Sequence, residues 1–325
     1  MSPDRSALVS VIVPVFNGER YVGEALQSAL AQDYPSKEII VVDDGSTDGT
    51  PQALSSFGRQ LRVFRQSNAG AAVARNAAIA QARGKYLAFL DADDLWLPHK
   101  LTAQIAYLES HPDIGMVYSA WAEWHADAGG SFVAPVSAHS AVELEIEHGG
   151  SGWLYNQLLL DCVIHTTTVV IRADIAAQVG SFDESLKRGQ DYDYWLRASR
   201  ITPIHKLRAA LSLYRIHAQS ITRRPHAANY GYLVIKKALD RWGPVGPDGT
   251  RTPARDINKV LAGMWFGYGY AHYQGGDPAL ARTAFRHCIG YRPFWHSAWI
   301  YWLRSWLRRI ASPLKSYSPP FSNNK

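Results

Sequence analysis

Cysteine is nearly missing from this chain of 325 residues. The two that occur, Cys162 and Cys288, lie far apart and outside any metal-ligand spacing. A disulfide framework and a structural zinc site are therefore excluded as organising features of the fold. A reducing compartment fits this composition best, so we expect a cytoplasmic protein.

Long hydrophobic runs are missing as well. The first apolar run, residues 8–16, is short, lacks a small-residue cleavage site and leads directly into the polar residues 17–20, unlike a signal peptide. A long uncharged stretch at residues 260–276 is interrupted by Gly, His and Gln. The sequence therefore predicts no membrane-spanning helix.

Acidic residues are absent from Pro278 to the end of the chain, where eight Lys or Arg occur. Removing those eight positive charges from the formal net charge of +6 leaves −2 for the rest of the sequence. The basic character thus belongs to the C-terminal tail and not to the main body. This distribution argues against a nucleic-acid-binding domain.

Apolar strands alternate with helical segments over the first hundred residues. The predicted elements are strands at 9–16, 38–42, 61–64 and 86–90, with helices at about 21–30 and 71–82. Such alternation predicts an α/β fold with a mostly parallel sheet covered by helices on both faces. A length of 325 residues with 47% hydrophobic content also exceeds the usual size of one domain, which predicts a large domain with an appendage.

Polar turns follow three of these strands, at residues 17–19, 43–48 and 91–94. In open α/β sheets the ligand crevice lies beyond the carboxyl ends of the strands, so we expect the three turns to line one site. After residue 116 the pattern becomes irregular, and a strand at 166–171 and a helix at 190–200 are predicted beyond it.

Two carboxylates, Asp91 and Asp93, come directly after a buried strand and are partnered by Asp43 and Asp44. A hard divalent cation that bridges two phosphates needs one or two carboxylates and keeps its other positions for phosphate and water. Asp is also common in turns and helix caps, which is the structural alternative for this motif. The strand context and the second acidic pair favour a metal site.

Residues 9–50 and 68–94, with their N-A-G-A-A-V-A-R-N and D-A-D-D motifs, resemble glycosyltransferase family 2, the inverting enzymes of GT-A fold. The resemblance extends over residues 8–220. It implies transfer of a sugar from a nucleotide diphosphate donor, UDP- or dTDP-linked, to an acceptor hydroxyl in bacterial-type polysaccharide or glycolipid biosynthesis. The acceptor implied is a saccharide or a lipid-linked saccharide.

The resemblance also implies a domain organisation. Residues 1–220 would form the transferase domain, with a donor-binding part at 8–115 and an acceptor-binding part at 116–220. Residues 221–325 would form a helical extension.

Site residues follow from the same resemblance. Those implied around the donor are Pro14, Phe16, Asn17, Glu19, Asp43, Asp44, Arg75, Asn76, Asp91, Ala92 and Arg215. Asp44, with Asp43 beside it, would face the base, and Asp91 would contact the ribose or sugar. Asp93 and His217 would bind Mn²⁺ or Mg²⁺ at the diphosphate, and imidazole is an acceptable manganese ligand. Pro14 and Asn17 have a structural alternative as a strand stop and a turn, and His217 has one as a hydrogen-bonded structural histidine.

A catalytic base is also needed, because the acceptor hydroxyl must lose a proton. In the resembled family this base is the acid within an E-D pair that precedes a helix, and the matching residue here is Asp191. Gln190 stands where the family has Glu, which puts the type of acceptor in doubt. Capping of the following helix is the structural alternative for Asp191.

Other functional classes lack their motifs. No glycine-rich basic loop of a nucleotidyltransferase and no G-x-G-x-x-G of a Rossmann dehydrogenase follows the first strand. A non-catalytic assembly or binding protein with a degenerate transferase domain remains the alternative, and Gln190 is its only support.

The C-terminal part has a helical pattern of its own. Trp265, Gly269, Ala281, Phe285 and Pro293 follow the spacing of one tetratricopeptide-like hairpin. Further on, tryptophans and leucines recur at helical spacing on one side of the segment, with His and Arg mainly on the other; the apolar set is Trp295, Trp299, Trp302, Leu303, Trp306, Leu307 and Ile310. A Trp-rich face beside a basic face predicts a peripheral helix on an anionic membrane, and packing against the hairpin is the alternative.

Overall fold

The computed structural model describes residues 7–127, 131–132, 144–217 and 226–307. Their contacts separate two compact units, which we call the N-terminal unit (residues up to 217, with 245–250) and the helical unit (218–244 and 251–325). The elements of the N-terminal unit are β1 (Val9–Val15), α1 (Val22–Leu30), β2 (Lys37–Asp43), α2 (Thr50–Ser55), β3 (Arg62–Arg65), α3 (Ala71–Ala80), β4 (Tyr86–Phe89), β5 (Leu95–Trp96), α4 (Lys100–Ser110), β6 (Met116–His125), α5 (Tyr155–Leu158), β7 (Val170–Arg172), α6 (Ala173–Val179), α7 (Gln190–Ala198) and β8 (Ile204–Ile216).

One sheet of eight strands, in the order β3-β2-β1-β4-β7-β6-β8-β5, organises this unit. The first four strands pair in parallel, β7 runs antiparallel to both β4 and β6, and β8 runs parallel to β6. Strand β1 is buried at nearly every position, as expected for a central parallel strand covered on both faces. The predicted α/β fold is confirmed, and the carboxyl ends of β1, β2 and β4 meet at one edge of the sheet.

Two local predictions in the second half of the sheet are wrong. The sequence predicts one strand at 166–171, but Thr166–Thr168 form a 3₁₀ turn and β7 begins at Val170. The amide and the hydroxyl of Thr168 both donate to the carbonyl of His165, at 3.0 and 2.7 Å, and these local bonds replace strand pairing. Residues 116–125, predicted as irregular, form strand β6, whose partner β8 lies too far along the chain for a local pattern to reveal.

The helical unit contains α8 (Tyr230–Trp242), α9 (Ala254–Gly275), α10 (Pro278–Tyr291) and α11 (His296–Leu307). Helices α9 and α10 form a hairpin in which a Cβ atom on Gly269 would lie 3.0 Å from Ala284 and 3.1 Å from Phe285, so a larger residue would force these neighbours to shift. The predicted hairpin is therefore present, while its likeness to a tetratricopeptide repeat stays a prediction. None of the helices within the described ranges is both long and apolar enough to cross a membrane.

Helix α11 divides its aromatic residues between core and solvent. Trp302 and the preceding Trp295 pack against the aromatic core around Phe266, and Ser305, which the pattern places on the polar side, is fully buried. Large apolar side chains are nevertheless exposed on another side of the helix; they are Trp299, Ile300, Leu303 and Trp306. Ile310, the last residue of the predicted apolar set, lies outside the described residues.

Candidate active site

Hydrogen bonds join the loops that follow β1 and β2. The amide of Asn17 donates to Ser46 Oγ at 2.9 Å, and Asn17 Oδ1 accepts from the amide of Thr47 at 2.8 Å. Glu19 Oε2 accepts from the amide of Gly49 at 2.6 Å. The side chains of Asn17 and Glu19, predicted to contact the donor, therefore also hold the two loops together.

Pro14 and Phe16 lie on either side of the end of β1. Pro14 pairs with Val42 inside the sheet and is partly buried. Phe16 is 50% exposed, which is unusual for so large an apolar side chain at a sheet edge. Its ring is accessible to a flat ligand such as a nucleobase.

Asp44 anchors the loop that precedes α3. Its Oδ1 accepts from Gln66 Nε2 at 2.8 Å and from the amide of Ala69 at 2.9 Å, and its Oδ2 accepts from the amide of Gly70 at 2.8 Å. The buried Asp43 lies 3.5 Å from Arg65 through its Oδ2. Asp44 thus shapes the wall of the crevice through its own hydrogen bonds, and its contact with a base stays a prediction.

Arg75 of α3 reaches the end of β4 and pairs with Asp91, with Nη2 2.5 Å from Oδ1. Although burial opposes its charge, the carboxylates of Asp91 and Asp191 raise the pKa of Arg75 above its ordinary value. The side chain is 7% exposed, and its buried Nε and Nη1 have no hydrogen-bond partner among the described residues. A buried cation of this kind adds positive charge to the crevice, which attracts an anionic group such as a phosphate.

Asn76, the neighbour of Arg75, forms a cross-link to a later loop. Its Nδ2 donates to the carbonyl of Phe182 and to Glu184 Oε1, both at 2.9 Å, and its Oδ1 accepts from the amide of Phe182 at 2.8 Å. These bonds use both donors of the Asn76 amide and one acceptor position of its oxygen. They fix the loop before α7 against α3, and the role of Asn76 at the donor site stays a prediction.

The loop after β4 brings Asp93 and His217 together. His217 Nε2 lies 2.9 Å from Asp93 Oδ2, and Asp93 is the more exposed partner, at 43% against 10% of the side chain. Ala92 lies close to the loop after β1: a Cβ atom added to Gly18 would be 3.8 Å from the Cβ of Ala92. The neighbouring Asp94 is buried, and burial together with the charge of Asp93 raises the pKa of Asp94 well above its ordinary value.

Arg215 is fully enclosed by the crevice wall. Its Nε donates to the carbonyl of Asp93 at 2.8 Å, and its Nη2 pairs with Glu24 Oε2 at 2.5 Å. The guanidinium also lies 4.4 Å from the ring centre of Tyr21 and 4.0 Å from that of Trp124, in cation–π contact. Arg215 therefore holds the Asp93 loop in place, and the predicted contact with the donor diphosphate stays a prediction.

Asp93 and His217 alone are too few ligands to complete the coordination of a divalent cation. In the part of the chain that the structure describes, no group of three or more His, Cys, Asp or Glu is placed to hold a metal ion. An ion that keeps positions for diphosphate oxygens and water needs only one or two protein ligands. The carboxylate and imidazole found here fit that second arrangement for Mn²⁺ or Mg²⁺.

Asp191 lies at the N-terminus of α7, beside the 3₁₀ turn. Its Oδ2 accepts from Thr166 Oγ1 at 3.1 Å and its Oδ1 from the amide of Tyr192 at 2.8 Å. The charge of Asp191 acts on both Arg75 and Asp91, which places it on the same crevice. The hydroxyl of Thr166 and the helix N-terminus both orient the carboxylate.

Sequence reasoning misses two of these contacts. Thr166 carries no motif that marks it as a partner of Asp191, and Glu24 looks like an ordinary exposed residue in the first turn of α1. Both partners are distant in sequence, so only the folded sheet brings them together. The one sequence signal that could have suggested a role for Glu24 is its position in the first turn of the helix that follows the first polar loop.

Comparison with known proteins gives matches for both sequence and structure. The sequence model described as Glycosyl transferase family 2 matches residues 10–125. An uncharacterized glycosyltransferase of Rickettsia typhi is 36% identical over 219 residues, which are 67% of this chain and 66% of the relative. The chain spans only 35% of a longer Rickettsia felis relative, at 33% identity.

A relative named for its activity is WfgD of Escherichia coli, a UDP-Glc:alpha-D-GlcNAc-diphosphoundecaprenol beta-1,3-glucosyltransferase. It is 30% identical over 220 residues, which are 66% of this chain and 79% of WfgD. Among solved structures, S. aureus TarS 1-349 in complex with UDP-GlcNAc superposes with a TM-score of 0.62 at 20% identity, over 92% of this chain and 89% of TarS. The mannosyltransferase PcManGT from Pyrobaculum calidifontis, in complex with GDP-Man and Mn²⁺, gives 0.55 at 19% identity, over 94% and 88%.

Proposed function

Because this chain belongs to glycosyltransferase family 2, we propose that it transfers a glycosyl group from a UDP- or dTDP-linked donor to an acceptor hydroxyl, with inversion at the anomeric carbon. The observation that carries the proposal is the buried guanidinium of Arg75, which faces the carboxylates of Asp91 and Asp191. An anion-binding cation beside a carboxylate that can accept a proton is what such a displacement needs.

Each of these residues has a role in the proposed reaction. Arg75 would supply positive charge beside the diphosphate, and Asp191 would accept the proton of the acceptor hydroxyl as its oxygen bonds to the anomeric carbon. The bond from that carbon to the diphosphate oxygen breaks, and the nucleoside diphosphate leaves. Asp93 and His217 would hold Mn²⁺ or Mg²⁺, which supplies positive charge to the departing diphosphate.

The donor can be identified by calorimetric titration of the full chain with UDP-glucose, UDP-GlcNAc, dTDP-glucose and GDP-mannose, each with and without Mn²⁺. We expect one of the UDP- or dTDP-linked sugars to bind, and to bind at least about tenfold more tightly with Mn²⁺ present, because the cation offsets the diphosphate charge. Binding of GDP-mannose alone would contradict the proposed donor class.

A second candidate function is that of a non-catalytic assembly protein with a degenerate transferase domain. Gln190 supports it, because the family has an acid at that position. Retention of Asp93, Arg75 and Asp191 in one crevice opposes it. Failure of every nucleotide sugar to bind in the same titration, in a protein that unfolds cooperatively, would favour this second candidate.

The acceptor that we propose is a saccharide carried by a lipid, in bacterial polysaccharide or glycolipid biosynthesis. WfgD supports this class, because its name describes a diphosphoundecaprenol-linked sugar as acceptor. Helix α11 supports it independently. Its exposed apolar side, Trp299, Ile300, Leu303 and Trp306, lies in a part of the chain with no acidic residue, so that an anionic surface would attract it.

The membrane prediction is tested by co-sedimentation with vesicles of phosphatidylglycerol and phosphatidylcholine. Trp306, which is 63% exposed, is replaced in Trp306→Glu. We expect vesicle binding to fall at least about tenfold, because a charge replaces apolar area that would enter the interface and opposes the anionic lipid.

Leu233→Glu is the matched control, since Leu233 is an exposed apolar residue on α8 of the same unit. We expect it to bind vesicles like the unchanged protein. Equal binding by Trp306→Glu and the unchanged protein would show that α11 does not contact the lipid, and no binding by either would remove the membrane from the proposal.

A further inference from the structure

Three aromatic rings cluster where β6 and β8 border the crevice. The ring of Trp121 lies 3.9 Å from that of His165 and 5.7 Å from that of Tyr214, between centroids, and His165 and Tyr214 are 5.1 Å apart. All three side chains are only partly buried. We call these residues the Trp121 cluster.

The backbone explains why Trp121 differs from the other aromatic residues of its strand. Tyr118 and Trp124, three positions before and after it, are 1% and 5% exposed. The pairing of β6 with β8 shifts register on both sides of Ala120, immediately before Trp121. Such irregularities redirect side chains and are frequent beside active sites. Trp121 thus keeps exposed indole surface although Tyr118 and Trp124 on the same strand are core residues.

The cluster lies next to the carboxylate proposed as the catalytic base. His165 directly precedes Thr166, whose hydroxyl donates to Asp191 Oδ2 at 3.1 Å. Burial lowers the pKa of His165, against the charges of Asp191 and Glu123, so its imidazole is neutral at pH 7. A neutral aromatic surface therefore adjoins the group that would take the acceptor proton.

From this placement we propose that the Trp121 cluster binds a sugar ring of the acceptor and directs one of its hydroxyl groups toward Asp191. The C–H groups on one side of a pyranose ring carry small positive charges, and they pack well on the negative face of an indole. A few polar groups then fix the orientation of the ring, as in most small-molecule sites. The inference rests on the proposed glycosyl transfer and assigns the sugar of the proposed acceptor a binding surface.

The buried polar contacts behind the turn support this placement. The carbonyl of Thr167 accepts from Trp96 Nε1 at 2.8 Å, and the carbonyl of Thr168 accepts from Gln104 Nε2 at 2.8 Å. These donors are fully buried, so they hold the turn in one position. His165 and Thr166 consequently keep a fixed spacing, as a binding surface beside a base requires.

The test measures donor turnover with free sugars as acceptors. The full chain, its preferred nucleotide sugar and Mn²⁺ are incubated with methyl glycosides of glucose, galactose, mannose, N-acetylglucosamine and rhamnose, and release of the nucleoside diphosphate is followed. We expect at least one glycoside to stimulate release above hydrolysis by water. Trp121→Ala should raise the half-saturating glycoside concentration at least about tenfold, while Trp121→Phe should retain most of the stimulation.

Donor affinity separates this inference from the proposed function, and we expect Trp121→Ala to change it far less than the half-saturating glycoside concentration. Trp242→Ala, a truncation of a partly buried tryptophan in the helical unit, controls for loss of an aromatic side chain. Unchanged glycoside dependence in Trp121→Ala would overturn the inference, as would the absence of stimulation by every glycoside in a chain that binds and hydrolyses the donor. Failure to bind any donor would instead overturn the proposed function.

Discussion

Asp191→Asn is expected to lower kcat by about 10²- to 10⁴-fold while donor affinity stays nearly unchanged. The amide keeps the shape of the carboxylate: its oxygen can accept from the amide of Tyr192, and its NH2 group can donate to the hydroxyl oxygen of Thr166. It cannot take the proton of the acceptor hydroxyl, so only the chemical step should suffer. Steady-state rates and calorimetric donor affinity, measured on the same preparation, check both parts of the prediction.

The structural alternative for Asp191, capping of α7, makes a different prediction. Because Asn caps a helix about as well as Asp, a capping role predicts little change in thermal stability and a kcat within about threefold of the unchanged enzyme. Asp174→Asn, which changes an exposed carboxylate in the first turn of α6, is the control. If Asp191→Asn resembles Asp174→Asn in rate, Asp191 is not the base.

Asp93→Ala is expected to reduce transfer by roughly 10²-fold or more, because the charge that develops on the departing diphosphate loses its neutralising cation. His217 cannot replace the carboxylate, since it would remain a single neutral ligand. The stimulation by Mn²⁺ should disappear with the side chain. Rates measured over a range of Mn²⁺ concentrations, after treatment with a chelator, give the comparison.

Asp113→Ala, at an exposed carboxylate between α4 and β6, should retain both the rate and the metal dependence of the unchanged protein. Full activity of the unchanged protein after removal of all divalent cations would show that the reaction needs no metal. Full activity of Asp93→Ala with an unaltered Mn²⁺ response would place the cation elsewhere.

The part of the candidate site that consists of polar turns at strand ends could be predicted from the sequence. Strands β1, β2 and β4 are continuous apolar runs that end in polar turns, and the topology rule for parallel sheets then brings those turns together. The acidic motif at Asp91 and Asp93 is recognisable for the same reason. Each signal lies within a few residues of the strand that positions it.

Contacts between distant segments could not be predicted. The pairing of Arg215 with Glu24, and the hydrogen bond from Thr166 to Asp191, depend on the register of β6, β7 and β8. Register in such strands is decided by tertiary pairing. Asn76 shows the same limit, because its amide binds a loop more than a hundred residues away. The strand predicted at 166–171 fails for a local reason, the hydrogen bonds from Thr168 to the carbonyl of His165.

Arg215 determines when this crevice can become complete during synthesis. Its contacts with Asp93 and Glu24 join residues that are 122 and 191 positions apart in the sequence. Closure of such long loops carries an entropic cost before any contact compensates it, so these contacts form late in folding. On the ribosome, β1 to β4 can pair well before β8 has emerged. The Asp93 loop gains its hydrogen bond from Arg215 only after Arg215 leaves the exit tunnel. A nascent chain would therefore acquire the loops after β1 and β2 first and the fixed Asp93 loop last.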